Sequence, residues 1–387
     1  MLELLFLLLP VAAGYGWIMG KNSNKHKQLK QKASLAKQYS AGLNFLLSDQ
    51  EEKAVEHLIE FLEVNADTLE THLTLANLFR KRGEFDKALE IHDHLNQLDL
   101  DLDCANKIKT ELAKDYISAG MLDRAETTLL TVILDNENRE TILQMLVGIY
   151  QTMKDWQKAD DLCTKPNSQK PLNNRLQSTL SHHCCELAEE SVDSGECSKW
   201  LKKALKYDQS CARALLMLAE MAFKRQHYSE AIKHYQTIIA EDCLYTPMVI
   251  DLMEQSYLQM DDKGGFYDYL QSQADTNTCV SFAVKYSVYI EQCQGEAKAL
   301  AFILTTLRKK PTIRSFVTLL ELHAKTADSE RTAAQFKEIK RLVKKYLDSK
   351  PLYECRNCGF ETKQHYWLCP SCQTWGNTKP AIGLDGQ

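Results

Sequence analysis

Apolar residues between positions 39 and 348 recur with the spacing of amphipathic α-helices, and this helical pattern itself repeats along the chain. The clearest sign is a small residue followed four positions later by a bulkier one. Copies of this pattern begin at Ala54, Ala88, Ala125, Ala159 and Ala231, at similar intervals except for the last, which is twice as long. Cys197 adds a further copy about midway through that longest interval. The pattern predicts successive pairs of helices.

The turns and the surrounding large side chains indicate the type of repeat. Three positions before the small residue stands an aromatic residue or leucine: Phe85, Leu122, Trp156 and Tyr228. Gly83 and Gly120 fall where the two helices of a pair would meet. The chain therefore resembles the tetratricopeptide repeat, a helix–turn–helix unit of about 34 residues, and is predicted to be an all-α superhelical solenoid. The resemblance is strong in two ranges and looser in two others: 69–164 and 212–242, then 165–211 and 244–348.

A superhelix of stacked helix pairs has a long concave groove, which suits the binding of proteins and peptides rather than catalysis. No nucleophile–base pair and no glycine-rich phosphate loop is recognisable, so no enzyme is predicted. The run His182-His183-Cys184-Cys185 has the composition of a metal site. Neighbours on a helix point about 100° apart and cannot converge on one ion. We interpret these residues, like the other cysteines of the solenoid, as packing residues.

Residues 2–19 form an apolar run in which Glu3 is the only charged residue. As a helix the run spans roughly 28 Å, enough for the hydrocarbon core of a bilayer. Lysines follow it, and no acidic residue occurs from 21 to 48. Positive charge after the run favours a single-pass anchor with the rest of the chain in the cytoplasm. A cleaved signal peptide is the alternative, and the lysines either bind anionic lipid or only fix the orientation.

The amino-acid composition excludes several classes of protein and agrees with the predicted helical solenoid. The chain of 387 residues contains only Gly 15 and Pro 8, and both types are scarcest between positions 21 and 350. This scarcity excludes a turn-rich barrel and a disordered low-complexity chain. The net charge of −5 argues against a general nucleic-acid-binding protein, which usually carries a basic excess.

The tail contains the sharpest chemical motif, two Cys-x2-Cys pairs that lie close together in the sequence. The spacing predicts one tetrahedral thiolate site, with the ligands Cys355, Cys358, Cys369 and Cys372. Gly359 suits the positive φ of a turn after the first pair, whereas Gln373 stands where a second glycine is expected. A module as short as 351–378 cannot bury enough core to fold alone, so metal binding would supply its folding energy.

Four thiolates suit both zinc and iron. We favour one structural Zn²⁺ per chain, because rubredoxin-type electron transfer would need iron and a redox partner. His365 as a ligand, and a disulfide or thioredoxin-like role for the cysteine pairs, are the alternatives. The motif resembles a rubredoxin-type or zinc-ribbon module, whose small aromatic core would be Tyr353, Phe360, Tyr366, Trp367 and Trp375.

These features predict five segments: a transmembrane anchor at 1–20, a basic segment at 21–38, the solenoid at 39–348, the metal module at 351–378 and a tail at 379–387. In this order they resemble the lipopolysaccharide assembly protein B family of bacterial inner-membrane proteins. The resemblance covers the whole chain. It rests on the opening MLELLFLLLPVAAGYGW, on repeats such as HLTLANLFRKRGEFDKA, and on the closing CRNCGF, YWLCPSC and KPAIGLDGQ.

The family resemblance implies a regulator of lipopolysaccharide biosynthesis on the cytoplasmic side of the inner membrane. Such an adaptor helps a membrane-anchored AAA+ zinc protease to degrade the deacetylase that commits sugar nucleotide to lipid A. A further implied partner is an inner-membrane regulator of lipopolysaccharide synthesis that restrains the adaptor. No nucleic-acid partner is expected, and a homo-oligomer is left open. The alternatives are a scaffold that coordinates lipopolysaccharide assembly and export enzymes without proteolysis, and an iron-rubredoxin electron carrier.

Overall fold

The computed structural model describes residues 66–98, 100–133, 139–164, 172–274, 279–327 and 329–386. The chain divides into two compact units, 1–149 and 150–387. The predicted anchor, the basic segment and the first predicted repeat at Ala54 lie outside the described residues. No helix within the described ranges combines the length and the apolar character needed to cross a membrane.

The described part of the first unit consists of helices in antiparallel pairs. Their bounds are α1 Ala66–Arg82, α2 Phe85–Asn96, α3 Leu102–Ser118 and α4 Leu122–Val132, followed by α5 Arg139–Met153, which ends in the second unit. Helix α1 packs against α2, α2 against α3, and α3 against α4. The core of the first two helices is formed by side chains with almost no exposed surface, among them Phe79, Ile91 and Leu95.

The second unit continues the same arrangement. Its helices are α6 Trp156–Thr164, α7 Asn174–Glu190, α8 Ser194–Tyr207, α9 Ala212–Lys224, α10 Tyr228–Glu241, α11 Thr246–Gln259, α12 Lys263–Gln273, α13 Val280–Gln294, α14 Glu296–Lys309, α15 Ile313–Lys325 and α16 Glu330–Ser349, with a 3-10 turn at Cys243–Tyr245. Helix α7 packs against α8, α9 against α10, and α15 against α16. The described chain is mostly helical, and the predicted tetratricopeptide-repeat-like solenoid is confirmed.

The repeated small residues lie where consecutive helices approach each other. Within their own units, Ala88, Ala125, Ala159 and Ala231 have no exposed surface. Small side chains at such positions let the ridges of one helix enter the grooves of the next. The bulkier residues four positions after these alanines are buried as well: His92, Leu129, Cys163 and Tyr235. The sequence pattern thus identifies residues at the interfaces between packed helices.

In several helix pairs the turn between the two helices contains one residue with a left-handed backbone. Gly83 and Gly120 have φ values of +84° and +77°, as expected for glycines in these turns. In later pairs the equivalent position is held by other residues with positive φ: Lys154, Gln226 and Asp261. A Cβ in this region costs roughly 1–2 kcal/mol. The turn geometry is therefore retained in these pairs even where no glycine relieves the strain.

The tail forms a small antiparallel sheet in the order β2–β1–β3, with strands β1 Tyr353–Cys355, β2 Glu361–Thr362 and β3 Thr378–Pro380. Tyr353 pairs with Thr362 on one side and with Pro380 on the other. Strand β3 crosses the predicted boundary at 378, so the sheet continues into the predicted tail. Beyond it, the carbonyl of Leu384 accepts a hydrogen bond of 2.9 Å from the N–H of Ile313, which ties the tail to the start of α15.

Replacing Gly83 by alanine tests the left-handed turn. A Cβ at Gly83 would meet no atom within 4 Å, so the cost is backbone strain alone. We expect Gly83→Ala to lower the free energy of unfolding by about 1 kcal/mol, measured by urea denaturation with circular dichroism. Gly148→Ala is the matched control within α5, where the Cβ also meets nothing within 4 Å. There alanine should raise stability by roughly 0.5–1 kcal/mol, and shifts of the same sign in both variants would contradict this explanation.

Candidate metal centre

The two cysteine pairs meet at one end of the small sheet. Cys355 ends β1 and Cys358 lies in the turn before β2, while Cys369 and Cys372 lie between β2 and β3. The four Sγ atoms lie within 4.8 Å of one another. The Sγ atoms of Cys355 and Cys372 are 3.7 Å apart, and those of Cys358 and Cys369 are also 3.7 Å apart. All four cysteines are free rather than disulfide-bonded.

These distances agree with a site built from four thiolates. Sulfurs at about 2.3 Å from a central ion in a tetrahedron are roughly 3.8 Å apart, whereas a disulfide bond measures about 2.05 Å. The two sulfur–sulfur separations of 3.7 Å match the edge of the tetrahedron. Zinc and iron both accept this donor set. The cysteine cluster therefore fits one metal ion per chain.

Each cysteine pair is followed by a residue with a left-handed backbone. Gly359 has a φ of +74°, and its N–H donates a hydrogen bond of 2.8 Å to the carbonyl of Cys355. Gln373 has a φ of +54°, and its N–H donates a bond of 2.9 Å to the carbonyl of Cys369. The Gln373 side chain also donates from Nε2 to the carbonyl of Pro370. Two equivalent turns thus form, although only the first has the expected glycine.

Burial and hydrogen bonds act in opposite directions on the thiols of the second pair. Burial raises the pKa of Cys369 to about 11. Burial also acts to raise the pKa of Cys372, but hydrogen bonds, led by the Thr374 hydroxyl at 3.0 Å from Sγ, outweigh it and lower that pKa to about 6. Metal binding requires deprotonated sulfurs. The surroundings therefore oppose ionisation at the Cys369 thiol and favour it at the Cys372 thiol.

Trp375 attaches the metal module to the helices. Its indole Nε1 donates a hydrogen bond of 2.7 Å to Oε1 of Gln151. Its ring stacks on His182, with centroids 5.1 Å apart and planes at 12°. Trp156 and His183 meet the same ring edge-on at 6.2 and 6.0 Å. The indole is thus inserted among side chains of α5, α6 and α7, and only 7% of Trp375 stays exposed.

A second group of contacts surrounds the 3-10 turn. The Tyr245 hydroxyl donates a hydrogen bond of 3.2 Å to the carbonyl of Gly376, and Lys379 forms an ion pair with Asp242. Gly376 has a φ of +65°, and a Cβ there would lie 3.0 Å from Nε2 of His182. Both the left-handed backbone and the close approach of His182 therefore favour glycine at this position.

Both histidines that contact Trp375 are neutral. Burial, reinforced by the positive charge of Arg213, lowers the pKa of His182 to about 3. Burial lowers the pKa of His183 to about 4. The Arg213 guanidinium lies 5.6 Å from the centroid of Trp375 and pairs with two glutamates of α7 at 2.7 and 2.8 Å. A neutral imidazole can be buried against an aromatic ring without the large cost of desolvating a charge.

The structure brings the predicted ligands together and places the alternative ligand elsewhere. His365 donates from Nε2 to the carbonyl of Thr378, 3.0 Å away. Among the described residues, the four tail cysteines are the group of His, Cys, Asp and Glu side chains arranged to hold an ion. In the run from 182 to 185 the two cysteines are buried among the helices. The docking role of the two histidines was not predicted, and their adjacency in the sequence was the one available signal.

Comparisons with known proteins match both modules and the full length of the chain. A family model described as rubredoxin metal binding domain matches residues 353–380, and one described as tetratricopeptide repeat matches 71–105. Lipopolysaccharide assembly protein B of Escherichia coli is 34% identical over 390 residues, covering 100% of each chain. The protein of that name from Haemophilus influenzae is 33% identical over 394 residues, covering 98% of each. A solved structure of MamA has 16% identity and a TM-score of 0.32, and the match covers 45% of this chain and 91% of that one.

Removing one thiol tests the metal site. We expect the purified full-length chain to carry one equivalent of metal by mass spectrometry, and Cys358→Ser to lose it, because three thiolates hold the ion less tightly than four. Zinc would leave the protein colourless, whereas iron would colour it. Cys293→Ser, at an exposed cysteine of α13, is the control and should retain the metal. Unchanged metal content in Cys358→Ser would show that the cluster does not bind it.

Acidification tests the docking of Trp375. Undocked histidines take up protons below about pH 6.5, whereas docked His182 does so only near its pKa of about 3. The undocked state therefore binds more protons, and the docked state becomes less favourable as the pH falls from 7 to 5.5. For each histidine, the free energy of docking decreases by up to about 1.4 kcal/mol per pH unit. Hydrogen exchange of residues 353–380, corrected for intrinsic rates, measures this change. His182→Phe keeps a ring on Trp375 and should show a smaller acid effect; an equal effect at constant metal content would contradict the explanation.

Proposed function

Since this chain belongs to the lipopolysaccharide assembly protein B family, we propose that it serves lipopolysaccharide assembly as a non-catalytic adaptor that binds partner proteins. The observation that carries the proposal is the full-length match, which covers 100% of the chain and of its Escherichia coli relative. Both the helical repeats and the metal module fall within that alignment. Stacked helix pairs offer extended surfaces to other proteins, which supports an adaptor rather than an enzyme.

In the proposed mechanism the adaptor delivers the lipid A-committing deacetylase to a membrane-anchored AAA+ zinc protease. Degradation of the deacetylase then limits lipopolysaccharide synthesis relative to phospholipid synthesis. An inner-membrane regulator of lipopolysaccharide synthesis restrains the adaptor. Family membership and the likeness of the whole chain support this assignment of partners.

The proposed location is the cytoplasmic side of the bacterial inner membrane, with residues 1–20 as a single-pass anchor. The apolar run at 2–19 and the lysines that follow it support this location. Anchoring would confine the adaptor and a membrane protease to the same surface. Two modest affinities then act together, because the second binding event becomes effectively intramolecular.

The proposed metal is Zn²⁺, held by the four tail cysteines. Such an ion supplies a cross-link that orders the module and takes part in no reaction. The insertion of Trp375 beside Gln151 and His182 supports a clamp that joins the module to α5 and α7. Loss of the ion would release this contact together with the fold of the module. The helices that partners bind would then lose part of their support.

The half-life of the deacetylase tests the proposed function. We expect depletion of the chain to lengthen it, and the double variant Cys355→Ser with Cys358→Ser to fail in restoring it, because the module unfolds without its ion. Cys293→Ser, with an exposed cysteine on α13, should restore the half-life fully. An unchanged half-life on depletion would argue for a scaffold that acts without proteolysis.

Removal of residues 1–20 tests the anchor. We expect the truncated protein to fold, because the helix pairs stabilise one another, but to restore deacetylase turnover poorly, because co-localisation is lost. Circular dichroism and immunoblotting at native expression measure the two effects. Fusion of an unrelated single-pass anchor should recover turnover. Full complementation by the truncated form would refute the role of the anchor.

A further inference from the structure

The last helix of the described chain, α16, carries an apolar stripe that stays exposed. The helix packs against α15 through a half-buried side that includes Phe336, whose ring stacks on His323 with centroids 5.5 Å apart. Ile339, Leu342 and Tyr346 lie on another side and keep 43%, 54% and 45% of their surfaces exposed. The terminal repeat of a solenoid normally presents a polar outer face, which keeps the end soluble. An apolar stripe at this position therefore indicates a surface that another molecule covers.

The spacing of the stripe suits packing against a second helix. Leu342 follows Ile339 by three residues, and Tyr346 follows Leu342 by four. This alternation keeps side chains in line along a helix, as in the seam of a coiled coil. Two polar residues, Gln335 and Ser349, continue it on either side. The apolar part covers about two turns, so it fits one short contact between helices rather than a long coiled coil.

The tail enlarges this surface at one end. The Tyr346 hydroxyl donates a hydrogen bond of 3.2 Å to Oδ2 of Asp385, and Nζ of Lys350 lies 3.4 Å from the same oxygen. Leu384, next to Asp385 in the chain, keeps 60% of its surface exposed. The apolar surface therefore continues from the helix onto the tail. An occupant that covers Tyr346 also comes close to Leu384.

The charges beside the stripe are complementary to those of a second copy. Glu338 and Lys345 are exposed and lie on the same flank of the stripe, one heptad apart. When two copies of α16 run antiparallel with Ile339 of one against Leu342 of the other, Glu338 of each copy faces Lys345 of the other. A shift by one heptad would place two glutamates or two lysines together instead. A parallel pair would bring Lys345 of one copy near Lys350 of the other, which are like charges.

The other cations of this side do not oppose the antiparallel pair. Arg341 lies further from the stripe and forms an ion pair of 2.7 Å with Glu338 of its own helix. Arg331 lies near the start of the helix, and in the antiparallel register it reaches past Ser349, where the helix of the other copy ends. By the helical period, the remaining charged residues of α16 lie on flanks that the contact does not reach.

From the stripe and its charges we infer that the outer face of α16 binds a second copy of this chain as an antiparallel helix pair. The same surface serves both copies, so the contact closes as a dimer. An anionic bilayer would favour cations alone along the stripe, whereas Glu338 lies directly beside it. The inference goes beyond the proposed function and does not depend on it.

The size of the contact sets the strength of the dimer. A helix of 20 residues spans roughly 30 Å. One such helix and a short part of the tail bury less than the roughly 800 Å² per partner of a standard interface. We therefore expect a reversible dimer with a dissociation constant in the micromolar range.

Analytical ultracentrifugation of the purified full-length chain in density-matched detergent tests the inference. We expect a monomer–dimer equilibrium at micromolar concentration. Leu342→Asp should abolish the dimer, because pairing would bury a carboxylate against apolar side chains. Lys337→Glu changes the charge at an exposed position off the stripe and should leave the equilibrium unchanged. A monomer at every concentration, or an equally strong dimer in Leu342→Asp, would overturn the inference. Circular dichroism verifies that each variant is folded.

Charge reversal tests the antiparallel register. Glu338→Lys and Lys345→Glu should each weaken self-association about tenfold at low salt, because like charges then face each other at both pairs. A mixture of the two variants should form a heterodimer of about the wild-type strength, since each lysine at these positions then faces a glutamate. Energy transfer between differently labelled variants measures this recovery. Absence of recovery in the mixture would contradict the proposed pair.

A photo-crosslinking amino acid at position 342 identifies the occupant in native membranes. We expect an adduct of twice the mass of the chain, in which mass spectrometry joins α16 of one copy to α16 of another. The same amino acid at position 337, off the stripe, is the control and should give no such adduct. Adducts with a different protein or with phospholipid would assign the stripe to that occupant and overturn the inference.

Discussion

A pair of amphipathic helices cannot bury its apolar side alone, and this need for a neighbour organises the described chain. Ala88 and Ala231, each in its own unit, have no exposed surface because a helix lies directly against them. The metal module depends even more on other stabilising contacts, because its few residues cannot bury a core of their own. These contacts come from its four converging thiols and from Trp375, whose side chain is inserted among the helices. By contrast, no helix follows α16 in the part of the chain that the structure describes, and none of its residues is buried.

The sequence predicted those features that depend on neighbours within about one repeat. The small residue and the bulkier one four positions later lie on one helix face, so their periodicity directly records which face is buried. Gly83 and Gly120 mark turns because a left-handed backbone favours glycine. The spacing of the two cysteine pairs predicted their convergence, since each pair needs only a short turn to bring its sulfurs together.

Contacts between residues that are far apart in the sequence could not be predicted from any local pattern. Trp375 and Gln151 are separated by 224 positions, and no local pattern connects an indole with a glutamine. Gln373 takes a left-handed backbone without glycine, because the geometry of the turn prevails over the preference of the residue. Arg314 of α15 and Lys344 of α16 line the same cleft, and no local pattern in the sequence brings these two helices together.

The docking of Trp375 also has a consequence for biosynthesis. A chain is made from its amino terminus, so the ribosome adds Trp375 long after His182. Until then the indole that covers His182 and stacks on it is missing, and its place between the helices is open to water. A product of premature termination would keep that apolar surface exposed permanently. A chain that stops before Trp375 therefore lacks one of the contacts that stabilise this region, and less stable chains are more accessible to chaperones and proteases.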